Sequence, residues 1–251
     1  MMNTPFDASV EDIAQAAREG RPPRDHGPYG VRVGDDHLRY TPIVLADPVP
    51  LGAQILDAVD LRPARDYVLL QIMHDGATKE VRAEDPVDLR QPGLETFVAF
   101  KGDRLYRLTL NDRSLDWGAR WITAEVLLAL AQVDPAAFEV VLLHPQGQNR
   151  VLIGEDRADL DDPGVERFET IPLAIEIFVN TEPKIVHRRV LDFWQVVRLE
   201  YPQADPGQAQ AAYTVTYAKG PKANPSGTLV KGQTVAVKQG MEFDVFVTDR
   251  S

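Results

Sequence analysis

Apolar and polar residues alternate in three separated stretches of the chain, at Val31, Val33 and Leu38, at Leu108, Leu110 and Leu115, and at Ile177, Val179 and Ile185. Each stretch reads as a strand, a polar turn and a second apolar segment, which together predict a β-hairpin. The turns are Gly34-Asp35-Asp36, Asn111-Asp112-Arg113 and Asn180-Thr181-Glu182, and Gly and Asn tolerate the left-handed backbone of tight hairpins. A helical period follows each hairpin. Val190, Trp194, Val197 and Tyr201 fall at i, i+4, i+7 and i+11 and make one stripe. Thr123 can cap a helix with Val126, Leu127, Leu130 and Val133 on one side, ended by Asp134-Pro135. Ile55, Leu56 and Val59 do the same more briefly before Pro63. A strand then follows each helix, at 67–73, 138–144 and 213–217, and a last strand closes each unit, at 97–100, 168–171 and 243–247.

The order β-β-α-β-β is therefore written three times, with room for a short extra turn before the last strand. The local sequence repeats as well. Asp88-Leu89-Arg90-Gln91-Pro92-Gly93-Leu94-Glu95-Thr96-Phe97 returns 71 residues later as Asp159-Leu160-Asp161-Asp162-Pro163-Gly164-Val165-Glu166-Arg167-Phe168, with six of ten positions identical. Val237-Lys238-Gln239-Gly240-Met241-Glu242-Phe243 is a looser third copy. A period of this size is one small domain. A helix with one apolar stripe must bury it on a sheet face, so the expected fold class is α+β: three tandem domains, each a mixed four-stranded sheet packed on one helix. The expected boundaries are a leader at 1–28 and domains at 29–102, 103–173 and 174–251. Links of a few residues predict that adjacent domains touch. Leu56, Leu127 and Trp194 are the expected buried helix residues, with Leu69, Val141 and Val215 on the strands beneath them.

Composition narrows the chemistry. The net charge of −11 repels phosphate backbones and anionic membranes, so neither nucleic acid nor membrane is an expected partner. No run of 18 apolar residues is present and the first twenty residues lack a signal peptide's apolar stretch, which makes a cytoplasmic location the expectation. With no cysteine in the chain, any thiol chemistry must come from a partner. The five histidines are scattered and form no His-x-x-x-His pair, so no metal site is expected. The Asp159-Leu160-Asp161-Asp162 cluster lacks the spacing of a calcium loop and reads as a solvated turn. Nucleotide-binding and serine-hydrolase motifs are missing too. No catalytic residues, no cofactor and no enzymatic activity are expected.

Near the N-terminus, Ser9-Val10-Glu11-Asp12 reads as a capping box opening a short helix that Gly20 stops, followed by the extended linker Arg21-Pro22-Pro23-Arg24. The expected leader is flexible or loosely docked, with a partner-docking helix as the other reading. Gly220-Pro221-Lys222-Ala223-Asn224-Pro225-Ser226-Gly227 reads as a mobile hairpin loop.

The repeats, above all the two Asp-Leu-x-x-Pro-Gly-[Leu/Val]-Glu-x-Phe segments and the ending from Gly240 to Ser251, resemble the bacterial multiubiquitin proteins, tandem ubiquitin-like polypeptides associated with relatives of ubiquitin-activating and conjugating enzymes. The resemblance covers about residues 29–251. It implies a β-grasp fold per repeat and a role as a protein modifier in conjugation systems, some of which serve antiphage defence. The implied partners are an E1-like adenylating enzyme, an E2-like conjugating enzyme, a deconjugating peptidase and target proteins. The alternative is a tandem β-grasp scaffold or protein-binding module that is never conjugated.

On the modifier reading, Thr248, Asp249, Arg250 and Ser251 form the conjugation tail after a strand ending near Val247, and the Ser251 carboxylate is the group activated. The tail departs from the Gly-Gly ending of ubiquitin-type modifiers, so the partner's channel must accept Arg250 and Ser251, or the tail is trimmed first, or the chain is not conjugated. Lys219, Lys222, Lys231 and Lys238, four of only seven lysines, lie in the last repeat. They are surface solubility or else a basic face for acidic partners.

Overall fold

A computed structural model of the chain describes residues 6–91, 94–144, 147–162, 164–207 and 211–249. The chain divides into two compact units, one made of residues 1–133 and 139–170, the other of 134–138 and 171–251. The leader, the first repeat and most of the second lie in the first unit.

The first repeat contains β2 (Tyr29–Gly34) and β3 (Tyr40–Leu45), α2 (Gly52–Asp57), β4 (Tyr67–Met73), β5 (Thr78–Val81) and β6 (Leu94–Lys101), preceded by the leader's β1 (Glu11–Asp12) and α1 (Ile13–Arg18). The strand order is β3-β2-β6-β4-β5, so the last strand sits at the centre, parallel to β2 and antiparallel to β4. Tyr29, Val31, Val33, Ile43, Leu69 and Phe97 form the core with Ile55 and Leu56 of α2.

The second repeat contains β7 (Tyr106–Leu110), β8 (Arg113–Trp117), β9 (Trp121–Thr123), α3 (Ala124–Ala131), β10 (Phe138–Leu143), β11 (Arg150–Leu152), β12 (Arg157–Asp159) and β13 (Glu166–Pro172). Its sheet has the order β8-β7-β13-β10-β11, and β9 pairs with β12 as a separate ribbon. The third contains β14 (Ile175–Val179), β15 (Glu182–Val186), β16 (Val190–Asp192), α4 (Phe193–Glu200), β17 (Ala211–Ala218), β18 (Gly227–Leu229), β19 (Thr234–Ala236) and β20 (Glu242–Asp249). The same order recurs as β15-β14-β20-β17-β18, with β16–β19 as the ribbon. In the first repeat a single bridge, Leu51 to Pro86, stands in the ribbon's place.

Several expectations are corrected. Each repeat contributes five strands to its main sheet, and the leader's β1 makes a sixth in the first, because β5, β11 and β18 pair with the strand after the helix, where only an extra turn was expected. Leu38 belongs to the first turn, at φ 55°, and Ile43 rather than Leu38 reaches the core. Ile185 is exposed and its neighbour Val186 is buried. Val140 sits opposite Leu152 as Leu69 sits opposite Val81 and Val215 opposite Leu229, so Val140 is the core residue and Val141 points to the other face. In α4 the buried residues are Phe193, Val196 and Val197, while Trp194 is half-buried and Val190 lies exposed in β16. The helix starts later than the stripe implied because Asp192 caps it: its carboxylate accepts the Gln195 N–H at 2.8 Å, and the Gln195 side chain accepts the Asp192 N–H at 2.8 Å.

The leader is docked. Its helix is capped by Asp12, not Ser9, and β1 adds in parallel to β2. Two ion-pair clusters hold it. Arg32, only 4% exposed, grips the Asp12 carboxylate with two bonds of 2.8 Å, and the buried Glu11 is met by Arg21 and, at 2.8 Å, by Arg24. Burial pushes the Asp12 carboxyl up, but the hydrogen bonds and charge of Arg32, with the Gln15 N–H and the Arg18 charge, outweigh it, and the net shift is downward.

The first two repeats share packed surface. The sheet-1 face turned away from α2 carries Val68, Leu70, Ile72, Val98 and Phe100, all buried. Phe100 meets Trp117 edge to face at 4.8 Å. Thr78 Oγ1 donates to the Asp116 carbonyl and accepts from its N–H, both at 2.9 Å. Gln132 donates to the His74 carbonyl and Arg113 to the Asp75 carbonyl. A Cβ on Gly76, at φ +81°, would fall 2.1 Å from the Leu130 carbonyl oxygen. These contacts explain the composition of α3, whose Val126 and Leu130 line a cleft of about 530 Å³ with Ile72 and Thr96, while Leu127 is buried as expected. The helix is apolar on two sides because it is covered on two sides.

Candidate functional site

β20 is both the central strand of the third sheet and the chain's route out of it. Its register is set from two directions. On one side Phe178 and Val179 of β14 pair in parallel with Glu242 and Phe243. On the other, β17 pairs with it in antiparallel fashion, from Ala218 opposite Glu242 to Ala211 opposite Asp249. The strand enters through Gly240, whose φ of +75° favours glycine. Phe243 and Val245 point into the core and are 1% exposed.

Asn180, at φ 48°, extends the parallel ladder beyond the end of β14. Its N–H donates to the Phe243 carbonyl at 2.9 Å, its side-chain oxygen accepts the Val245 N–H at 2.8 Å, and its amide donates to the Val245 carbonyl at 3.0 Å. Asn111 repeats the device in the second repeat, accepting the Thr170 N–H at 2.8 Å and donating to Thr170 Oγ1 at 2.9 Å. The sequence showed these asparagines as turn residues. Their bracket on the last strand required the distance between turn and strand, which only the fold supplies.

Beyond Val245 the strand emerges. Phe246 and Val247 are exposed, and the ladder continues through Thr248 and Asp249, whose backbones face Ala212 and Ala211. The strand thus ends two residues later than the alternation implied, and two of the four expected tail residues are held in the sheet. Arg250 and Ser251 lie outside the described residues.

The four lysines have different surroundings. Lys219 forms an ion pair with Glu242 at the start of β20. Lys231 lies over the Trp194 ring at 4.9 Å. Lys222 and Lys238 are exposed. The loop 220–227 closes on itself through a Gly220 N–H bond to the Pro225 carbonyl at 2.8 Å. In the Asp159–Asp162 turn, Asp159 and Asp161 serve arginines: Arg120 binds Asp159 at 2.5 Å and Arg104 binds Asp161 at 2.9 Å. Arg120 holds the Asp159 carboxyl below its ordinary range.

Three mixed sheets of one topology, each with its last strand at the centre beside the first and a helix across one face, define the chain as a tandem array of ubiquitin-like domains. Residues 40–102, 106–172 and 175–249 each match the multiubiquitin family, and the chain belongs to that family. No match was found among curated proteins. Among the described residues no helix is long and apolar enough to cross a membrane.

Proposed function

We propose that this protein is a ubiquitin-like modifier that an E1-like enzyme adenylates at its C-terminal end, and that an E2-like enzyme passes to target proteins. The observation that supports the reading is the third family match, which runs through β20 to residue 249, so the unit that carries the tail is of the same kind as the other two. On this reading the chain is a substrate of those enzymes and not a catalyst, it works in the cytoplasm, and a deconjugating peptidase reverses the linkage. Thr248 to Ser251 form the tail, with Arg250 pairing an acidic wall of the adenylating enzyme and the Ser251 carboxylate as the group activated. Because Thr248 and Asp249 are held against β17, entry into a nucleotide site requires those last pairs to open. The open lysines of the third repeat, Lys222 and Lys238, are offered to acidic partner surfaces. A role in antiphage defence follows from the family resemblance.

Incubation of the purified chain with ATP and the E1-like enzyme of the same cell tests this. A thioester adduct that requires ATP and dissolves in excess thiol is the expected result. The competing reading, an unconjugated scaffold, draws its support from the same two backbone pairs that hold the tail in the sheet, and it predicts no adduct.

A further inference from the structure

The β9–β12 ribbon of the second repeat carries an aromatic residue where the surface is otherwise charged. Trp121 is 41% exposed although its neighbour Ile122 is buried at 1%. The guanidinium of Arg157 lies 4.8 Å from the indole centroid and that of Arg120 5.2 Å from it. The two arginines differ in their other partners. Arg120 is fixed by Asp159, with bonds of 2.8 and 2.5 Å, so its charge is largely spent. Arg157 forms no ion pair with any described carboxylate, and its carbonyl accepts a 3.0 Å bond from Arg150, which also lacks one. An exposed Trp beside an arginine fork without an ion-pair partner is the residue combination that anchors protein interfaces, and stacking on the indole holds the Arg157 fork ready for a carboxylate.

We propose that Trp121 and Arg157 form a docking anchor for an acidic segment of a partner protein, in which a carboxylate engages Arg157 and Arg150 while a flanking aliphatic side chain covers the indole. Charge decides the occupant. A chain of net charge −11 repels a long polyanion, whereas a short acidic segment can reach the Arg157 and Arg150 forks alone, the neighbouring carboxylates of Asp159 and Asp161 being already held by Arg120 and Arg104. The anchor does not depend on conjugation.

The test uses the full chain and three fluorescein-labelled probes: a peptide of alternating Asp and Leu, the same peptide with Asn for Asp, and a single-stranded DNA of equal charge. Polarisation should show binding of the acidic peptide, weakened at least tenfold by Trp121→Ala and by Arg157→Gln, and weakened by salt. The Arg157→Gln change alters an exposed side chain, so it remains informative if Trp121→Ala impairs folding. Equal binding of the Asn peptide, binding of the DNA as tight as that of the acidic peptide, or acidic-peptide binding unchanged in Arg157→Gln would each overturn the proposal.

Discussion

Phe100→Ala should destabilise two repeats at once. The side chain is 4% exposed and stands on the sheet-1 face opposite the first repeat's own core, edge to face with Trp117 of the second repeat at 4.8 Å. Truncating a buried Phe costs about 3 to 5 kcal/mol, of which the aromatic geometry contributes roughly 0.5 to 1.5 kcal/mol. Taking about 4 kcal/mol, and about 2 to 4 °C of Tm per kcal/mol for a unit of this size, the transition should fall by roughly 8 to 16 °C. Tryptophan fluorescence reads this directly: Trp117 and Trp121 report the first compact unit and Trp194 the second. The first unit's transition should move as one and the Trp194 transition should stay. Gly118→Ala supplies a second arm, since its Cβ would sit 2.4 Å from the Phe100 ring. That substitution should destabilise the parent and be nearly silent in Phe100→Ala, a strongly non-additive pair. If Trp117 melts at the parental temperature in Phe100→Ala, the shared packing of the two repeats is wrong.

Further outcomes follow from other contacts. Phe193→Ala should destabilise the third repeat by about 3 to 5 kcal/mol, and Trp194→Ala by clearly less, because Phe193 is 3% exposed and Trp194 only half-buried; denaturant midpoints of the two variants check the order. Asn180→Ala should cost about 1 to 3 kcal/mol by leaving the Val245 N–H without its partner, and amide exchange at Val245 should accelerate; unchanged protection would refute the bracket. Leader docking should be acid-labile. The Asp12 carboxyl is held below its ordinary value of 3.8, so its contribution is complete above about pH 4 and is lost as the pH falls through the depressed value. Proteolysis of the leader should rise below that point, and Asp12→Asn should remove this pH dependence.

Much of the fold was legible because its signals are local. The Asn turns, the Thr123 cap and the three last strands follow from residue types and short periods, and the repeat itself was visible in the Pro-Gly segments. The misplacements have one physical origin: a short helix or strand is assigned by which residues are apolar, but burial depends on what lies across from them. Val140 and Val141 are equally apolar, and only the pairing with β11 decides which faces the helix. Val190 completes a helical stripe, yet the Asp192–Gln195 box starts the helix after it. Val126 and Leu130 looked like part of one stripe because a second covered side, against the first repeat, cannot be read from a single domain's pattern. The leader misled for a related reason, since Arg32 and Asp12 are 20 residues apart and neither predicts the other. The tail was legible only as residue types: its backbone pairing with Ala211 and Ala212 lies in a partner strand, which the tail's own sequence does not name.

The proposal that this is a modifier meets its most direct test in the linkage itself. After incubation with ATP and its E1-like and E2-like enzymes, protease digestion and mass spectrometry should find a branched peptide in which the Ser251 carboxyl is joined to a target lysine, and the variant lacking Arg250 and Ser251 should keep its fold and give no branch. A branch through any other residue would contradict the assignment of the activated group, and the absence of any ATP-dependent branch would contradict the modifier reading.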